Sequence, residues 1–201
     1  MVIILCVLIF AALAVSYESP WLSETDQAIL DALREMESGG LTSFFLAITF
    51  LGSTAGILVV SLLAVVWSAY RRRWLDALTM FVAVVGTWLL NMLLKNLFQR
   101  PRPDMLHLAE ADGFSFPSGH AMIGLATYAA LAFLISRAVK GTGMQAAVAA
   151  IFGLLILLIG LSRNYLGVHY PSDIVAGYAA GIVWLCICAV ARRAAAIYIR
   201  N

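Results

Sequence analysis

Apolar residues run through this sequence in six stretches, at roughly 2–17, 43–69, 75–98, 119–138, 145–162 and 173–198. A helix needs about 20 predominantly apolar residues to cross the hydrocarbon core of a bilayer. Inside that core every backbone N–H and C=O must be paired within the chain, so a helix bundle is the fold such runs allow. A soluble alternative would need a polar surface, and only 12% of the residues are charged at a mean hydropathy of +0.94. The sequence therefore predicts an all-α, six-transmembrane helix bundle, forming one domain over residues 1–201.

Charge is segregated along this plan. One set of connections carries Arg71, Arg72, Arg73, Arg137, Lys140, Arg192, Arg193 and Arg200, with Asp76 as its only acid. The other set carries Arg34, Lys95, Arg100, Arg102, Arg163 and all remaining acids. Lys- and Arg-rich connections stay in the cytoplasm. Both termini are then expected inside a plasma membrane, with the second set facing out. The Arg71-Arg72-Arg73 triplet, flanked by Trp67, Tyr70 and Trp74, reads as a span end rather than a nucleic-acid patch. The first run contains Ala12-Leu13-Ala14, which resembles a signal-peptidase site, but no basic segment precedes it, so a retained helix is expected. Cys6, Cys186 and Cys188 all fall within spans, and an odd count placed there argues against a disulfide framework.

Between the first two spans, Pro20–Met36 is acidic and amphipathic. Leu22, Ile29, Leu33 and Met36 recur at helical spacing, Ser23 and Asp26 fit a capping box, and Trp21 fits an interfacial anchor. A short interfacial helix is expected there. The second span is read as continuous from Leu41 to Tyr70, with Gly52 and Gly56 open to a close-packed neighbour. In the third, Thr87, Asn91 and Lys95 share one face, and a polar stripe at that depth must face protein or a cavity. Asn91 is expected to bond between helices. In Gln99-Arg-Pro-Arg-Pro-Asp104 the prolines end the helix and force extended backbone at Arg100 and Arg102. Asp104, Glu110 and Asp112 match no oxygen-ligand loop, so no metal is expected, nor any cofactor. His107 is expected to be a solvated loop residue. The short turn after Arg137 makes the fourth and fifth spans antiparallel neighbours, Pro171 opens the sixth, and Gly177 with Gly181 gives it a close-packing face.

Two histidines, three cations, a serine, a glycine and an aspartate remain that orientation in a membrane does not explain. They cluster in Lys95-x6-Arg102-Pro103, Pro117-Ser118-Gly119-His120 and Ser162-Arg163-x5-His169-x3-Asp173. All three segments lie at span ends on one side. Two helices start there, and helix N-termini favour anions. Lys95, Arg102 and Arg163 add positive charge, and Arg binds phosphate through a planar fork. A phosphate monoester or diphosphate fits this field better than a carboxylate. Asp173, four residues after His169, can hold one ring N–H and leave the other nitrogen free to attack. His120 can protonate the leaving oxygen. The Ser118 hydroxyl and Gly119 N–H are candidate phosphate donors beside the three cations.

Taken together, the three segments resemble the three-part signature of the type 2 phosphatidic acid phosphatase superfamily. The resemblance extends from the third span through the sixth. It implies a phosphohistidine at His169 supported by Asp173, with His120 as acid for the leaving group and then as base for water. It also implies phosphate contacts from Lys95, Arg102, Ser118, Gly119 and Arg163. The soluble vanadium haloperoxidases share the signature but not six spans. The expected substrate is a lipid phosphate or diphosphate, with undecaprenyl diphosphate, phosphatidylglycerol phosphate and phosphatidic acid as candidates. Two other readings remain open: an intramembrane serine protease using Ser118, and a non-catalytic phosphate-lipid binder or transporter.

Overall fold

The computed structural model describes residues 1–198; Arg200, one of the cations assigned above, lies outside the described residues. Eight helices and no strand make up the regular structure among the described residues. They are α1 (Val2–Ser16), α2 (Pro20–Glu35), α3 (Gly39–Gly52), α4 (Thr54–Tyr70), α5 (Trp74–Phe98), α6 (Gly119–Ser136), α7 (Thr142–Tyr165) and α8 (Pro171–Tyr198). Four of them, α5 to α8, are long and apolar enough to cross a membrane. The number of spans rises to at most 6 if the bent pairs α1–α2, at 98°, and α3–α4, at 50°, each count as one.

The second apolar stretch is not one continuous helix. It breaks at Ser53, whose backbone is extended and whose hydroxyl caps α4 by accepting from the Gly56 N–H at 3.2 Å. Packing explains the break. Gly52 lies against α7 and the start of α6, so a Cβ there would stand 2.6 Å from Ile159 Cγ2 and 2.9 Å from His120 Cδ2. Gly56, expected to admit another helix, instead abuts the Phe50 carbonyl across the bend.

The expected Ser23–Asp26 capping box is also corrected. Ser19 caps α2, accepting from the Leu22 N–H at 3.4 Å, and Pro20 opens the helix. Asp26 falls mid-helix, and the buried stripe is Leu22, Asp26 and Leu30. Ile29 and Met36, placed on the apolar face by periodicity, are 43% and 61% exposed. The apolar pattern failed here because a charged residue on the inner face has a buried partner, described below.

α6 is the hub, packing against α5, α7 and α8, while α1 lies along α8 and α3 along α7. Met80, Ala83 and Ile159 are fully buried in the main core. Gly177 and Gly181 bring α8 onto α6: a Cβ on Gly177 would meet the Ser118 carbonyl oxygen at 2.8 Å. Phe116, buried in the segment before α6, packs against Phe10, Tyr17 and Phe98 and ties α1 to that segment. Asp76 joins Arg73 and Arg192 at one end of the bundle, while Lys95 sits in the last turn of α5 at the other.

Candidate active site

Three chain segments meet at the Lys95 end. α5 stops at Phe98 because Gln99 turns left-handed (φ 50) and Pro101 and Pro103 bar further helix. The chain then crosses the bundle end and enters α6, where the Ser118 hydroxyl accepts from the Ala121 N–H at 3.5 Å. α7 ends at Tyr165, Gly167 (φ 72) reverses the chain, and α8 begins at Pro171. Asn91 braces this arrangement from α5, donating to the Pro117 carbonyl at 3.2 Å. The interhelical bond expected of it is the second one this amide makes, to Met122 Sδ of α6 at 3.6 Å.

His169 is 2% exposed and faces Asp173 as the spacing implied, with Nδ1 3.4 Å from Oδ2. A third residue stands between them. Ser115 donates to Asp173 Oδ2, and its Oγ lies 3.1 Å from His169 Nδ1. With that hydroxyl proton on the carboxylate, Oγ accepts from Nδ1–H, which leaves the lone pair on Nε2. Arg102 Nη1 lies 3.2 Å from Nε2, so a cation faces the nitrogen that carries the lone pair. Burial pushes His169 down to about 3 even though Asp173 opposes the shift, which leaves the imidazole neutral at physiological pH. Asn164 fixes the backbone by donating to the His169 carbonyl at 2.9 Å.

Arg102 and Lys95 lie within electrostatic reach of this ring, and Arg163 within reach of Arg102. Arg102 donates from Nη1 to the Val168 carbonyl at 2.7 Å, from Nε to the Gly113 carbonyl at 3.0 Å and from Nη2 to the Asp112 backbone carbonyl at 2.7 Å. Lys95 Nζ donates to the Phe114 carbonyl. Arg163 is 3% exposed, yet its guanidinium donates from Nη1 to the Thr49 hydroxyl at 2.7 Å while its Nε is buried and unpaired. A buried donor without a partner is rare and calls for an acceptor. His120 has no hydrogen-bond partner among the described residues, and Gly52 and Ile159 wall its back. It lies within electrostatic reach of Arg163, His169, Arg102 and Lys95. Gly119 is half-buried, and a Cβ there would stand 3.0 Å from Asn91 Oδ1. Ser118 is fully buried and holds α6 at both of its groups: the hydroxyl caps the helix and the backbone N–H donates to the Asp173 carbonyl at 3.1 Å. A nucleophilic serine would have to leave that cap, so the protease reading loses its key residue. His107 is half-buried rather than solvated, with Nε2 3.0 Å from the Pro103 carbonyl.

Behind Asp173 lies a layer that motif reading missed. Arg100 is 4% exposed and donates from Nη1 to Asp173 Oδ1 and to the Ser172 hydroxyl, both at 2.7 Å. Its Nη2 reaches Asp26 Oδ2 at 2.9 Å, and the guanidinium stacks 4.0 Å from the Tyr170 ring centroid. Asp26 also accepts the Ser172 N–H at 2.9 Å, so a residue of α2 caps the start of α8. The sequence held one clue, since Arg100 shares the proline-stiffened segment with Arg102. Ser115 carried no signal beyond standing next to the Phe116–His120 segment.

The chain has counterparts among known proteins. A family model described as "PAP2 superfamily" matches residues 76–196. The chain is 32% identical over 178 residues to the phosphatidylglycerophosphatase B of Bacillus subtilis (strain 168), covering 88% of this chain and 87% of that one. It is 36% identical over 134 residues to a decaprenylphosphoryl-5-phosphoribose phosphatase of Mycobacterium tuberculosis, covering 63% of this chain and 66% of the relative. Among solved structures, a transmembrane PAP2-type phosphatidylglycerolphosphate phosphatase from Bacillus subtilis superposes with a TM-score of 0.87 at 29% identity, covering 93% of this chain and 94% of its own.

Proposed function

The chain belongs to the PAP2 superfamily and is a membrane-embedded lipid phosphatase, and from that premise we propose how its residues carry the reaction and on which lipid. The substrate phosphate binds among Lys95, Arg102 and Arg163, with the Gly119 N–H at the start of α6 as a further donor. Arg102 turns from His169 Nε2 to a phosphate oxygen, which frees the lone pair. Nε2 attacks phosphorus in line, the bond from phosphorus to the lipid oxygen breaks, and His120, an imidazolium once the phosphate dianion is bound beside it, passes its extra proton to the departing alkoxide. Asp173 and Ser115 hold the positive charge that develops on His169. A water then enters, gives a proton to His120 and attacks phosphorus. The P–N bond breaks, inorganic phosphate leaves, and both histidines return to their starting states. Guanidinium and ammonium groups stabilise the equatorial oxygens throughout.

Support for this reading rests most on one observation. Arg163 is a buried guanidinium with an unpaired Nε, a few residues before a neutral, buried His169. A dianion supplies the missing acceptor. Phosphatidylglycerol phosphate is the first candidate, because the relative matching most of the chain is named for it. Undecaprenyl diphosphate and phosphatidic acid complete the panel. We place six spans across the bilayer, with α1 and the α3–α4 pair supplying two of them. In this arrangement α2 lies along the outer interface, both termini are cytoplasmic and the active site faces out. The basic ends of α4 to α8 support this sidedness.

The test is trapping. Incubating the purified enzyme with radiolabelled lipid phosphate and quenching with alkali should leave label on histidine. His169→Ala should lose both the label and phosphate release, whereas Lys95→Ala and Arg163→Ala should weaken them through phosphate binding. Label that persists in His169→Ala, or that is found on Ser118, would overturn the assignment.

A further inference from the structure

We infer that the end of the bundle remote from the active site holds an anionic glycerophospholipid, with its phosphate among four arginines and an acyl chain in the groove below them. Nothing in the phosphatase chemistry uses this region. The α4–α5 turn and the ends of α6 and α8 form an open depression of about 450 Å³ lined by Arg72, Arg73, Arg137 and Arg192, with Trp74 and Leu75 beside them and a single acid, Asp76. Asp76 is 3% exposed and binds Arg73 Nε and Arg192 Nη2, each at 2.6 Å. It orients two guanidinium groups but cannot neutralise four. Arg192 also keeps a buried Nε with no partner, the same signature of a missing acceptor that Arg163 carries in the active site.

The cavity does not stand alone. A second one, of about 240 Å³, runs between α5, α6 and α8, lined by Thr79, Ala83, Ala130, Leu185, Cys188 and Ala189. Phe133 and Arg192 sit at the junction: Arg192 lines both cavities, and Arg192 and Arg137 lie 5.1 Å and 5.7 Å from the Phe133 ring centroid. The small residues Ala83 and Ala130 create the trough. Thus an open depression rimmed by arginines at the helix ends adjoins, at Arg192, an apolar slot between the helices, which is the polarity profile of a phospholipid. Arginine forks suit phosphate oxygens, and basic pockets between spans recruit anionic headgroups. Orienting the chain in the membrane requires only cations near this end. It does not require a buried donor without an acceptor, or an apolar slot that begins at the same arginine. A free phosphate would leave the slot unused.

The test uses the full-length protein purified in mild detergent, with retained lipid counted by native mass spectrometry after exposure to phosphatidylglycerol or phosphatidylcholine. Wild type should retain phosphatidylglycerol preferentially. Arg72→Gln combined with Arg137→Gln removes two exposed cations that Asp76 does not bind, and should lower that preference by roughly thirtyfold, the worth of two cations at a membrane surface. Ala189→Phe leaves every arginine in place and fills the slot, and should also remove the adduct. Arg102→Ala, at the active site, should keep it. The inference is overturned if phosphatidylcholine is retained equally or if the double variant keeps the adduct. It is equally overturned if Arg102→Ala loses the adduct, because the lipid then sits in the active site, or if Ala189→Phe binds as wild type does, because the site then takes only the anion.

Discussion

At the scale of single residues, His169, the proposed nucleophile, depends on a hydroxyl that no motif names. At 3.4 Å the Asp173 carboxylate is too far from His169 Nδ1 to orient the ring strongly, and Ser115 fills the gap. Ser115→Ala should lower kcat by about ten- to a hundredfold, the worth of one buried hydrogen bond to a charged group, and leave KM within about twofold. Ser115→Thr retains the hydroxyl and should recover part of the loss. Steady-state kinetics on one lipid phosphate checks both, and a change confined to KM would assign Ser115 to substrate binding instead. Gly52 is the second residue with a sharp consequence. An added methyl would press on His120 Cδ2 from 2.9 Å and on Ile159 from 2.6 Å, whereas at Gly40 it meets nothing within 4 Å. Gly52→Ala should therefore cost about tenfold or more in turnover by displacing His120, the proposed general acid, in line with the cost of misplacing a catalytic group. Gly40→Ala should match wild type in the same assay.

Among elements, α2 contributes most beyond its expected role. Its polar–apolar pattern marks a surface helix, but Asp26 also latches it to the start of α8 and, through Arg100, to the far oxygen of Asp173. Breaking a buried ion pair by removing one partner costs about 3–5 kcal/mol, because the remaining charge is left unpaired. Asp26→Ala should therefore lower the thermal midpoint by several degrees and reduce turnover as well, because Arg100 would lose its second anchor. Calorimetry and phosphate release, measured on the same preparation, read the two effects. A variant with full activity and wild-type stability would show that the latch is idle. The kink between α3 and α4 has a similar origin, since Thr49 and Gly52 must both face the site, one to hold Arg163 and the other to make room for His120.

For the molecule as a whole, function depends on which ends of the helices share a side. Replacing Glu110 by Cys in the α5–α6 loop should allow labelling by an impermeant maleimide on intact cells, whereas Lys140→Cys in the α6–α7 turn should react only after permeabilisation. The opposite pattern would place the active site inside. Much of this protein was legible from its sequence because bilayer thickness, the positive-inside bias and proline and glycine chemistry all act locally along the chain. They give the helical class, the ends of α5 and α6, the start of α8 and the convergence of Lys95, Arg102, His120, Arg163, His169 and Asp173. What folding alone decided was the pairing of polar groups distant in sequence: Ser115 between His169 and Asp173, Asp26 against Arg100, and Thr49 against Arg163. A buried polar group must find a partner, but nothing in the neighbouring residues says which one. That choice depends on helices brought into contact by packing, at the bend of Ser53 and at the close crossing of α8 on α6 through Gly177.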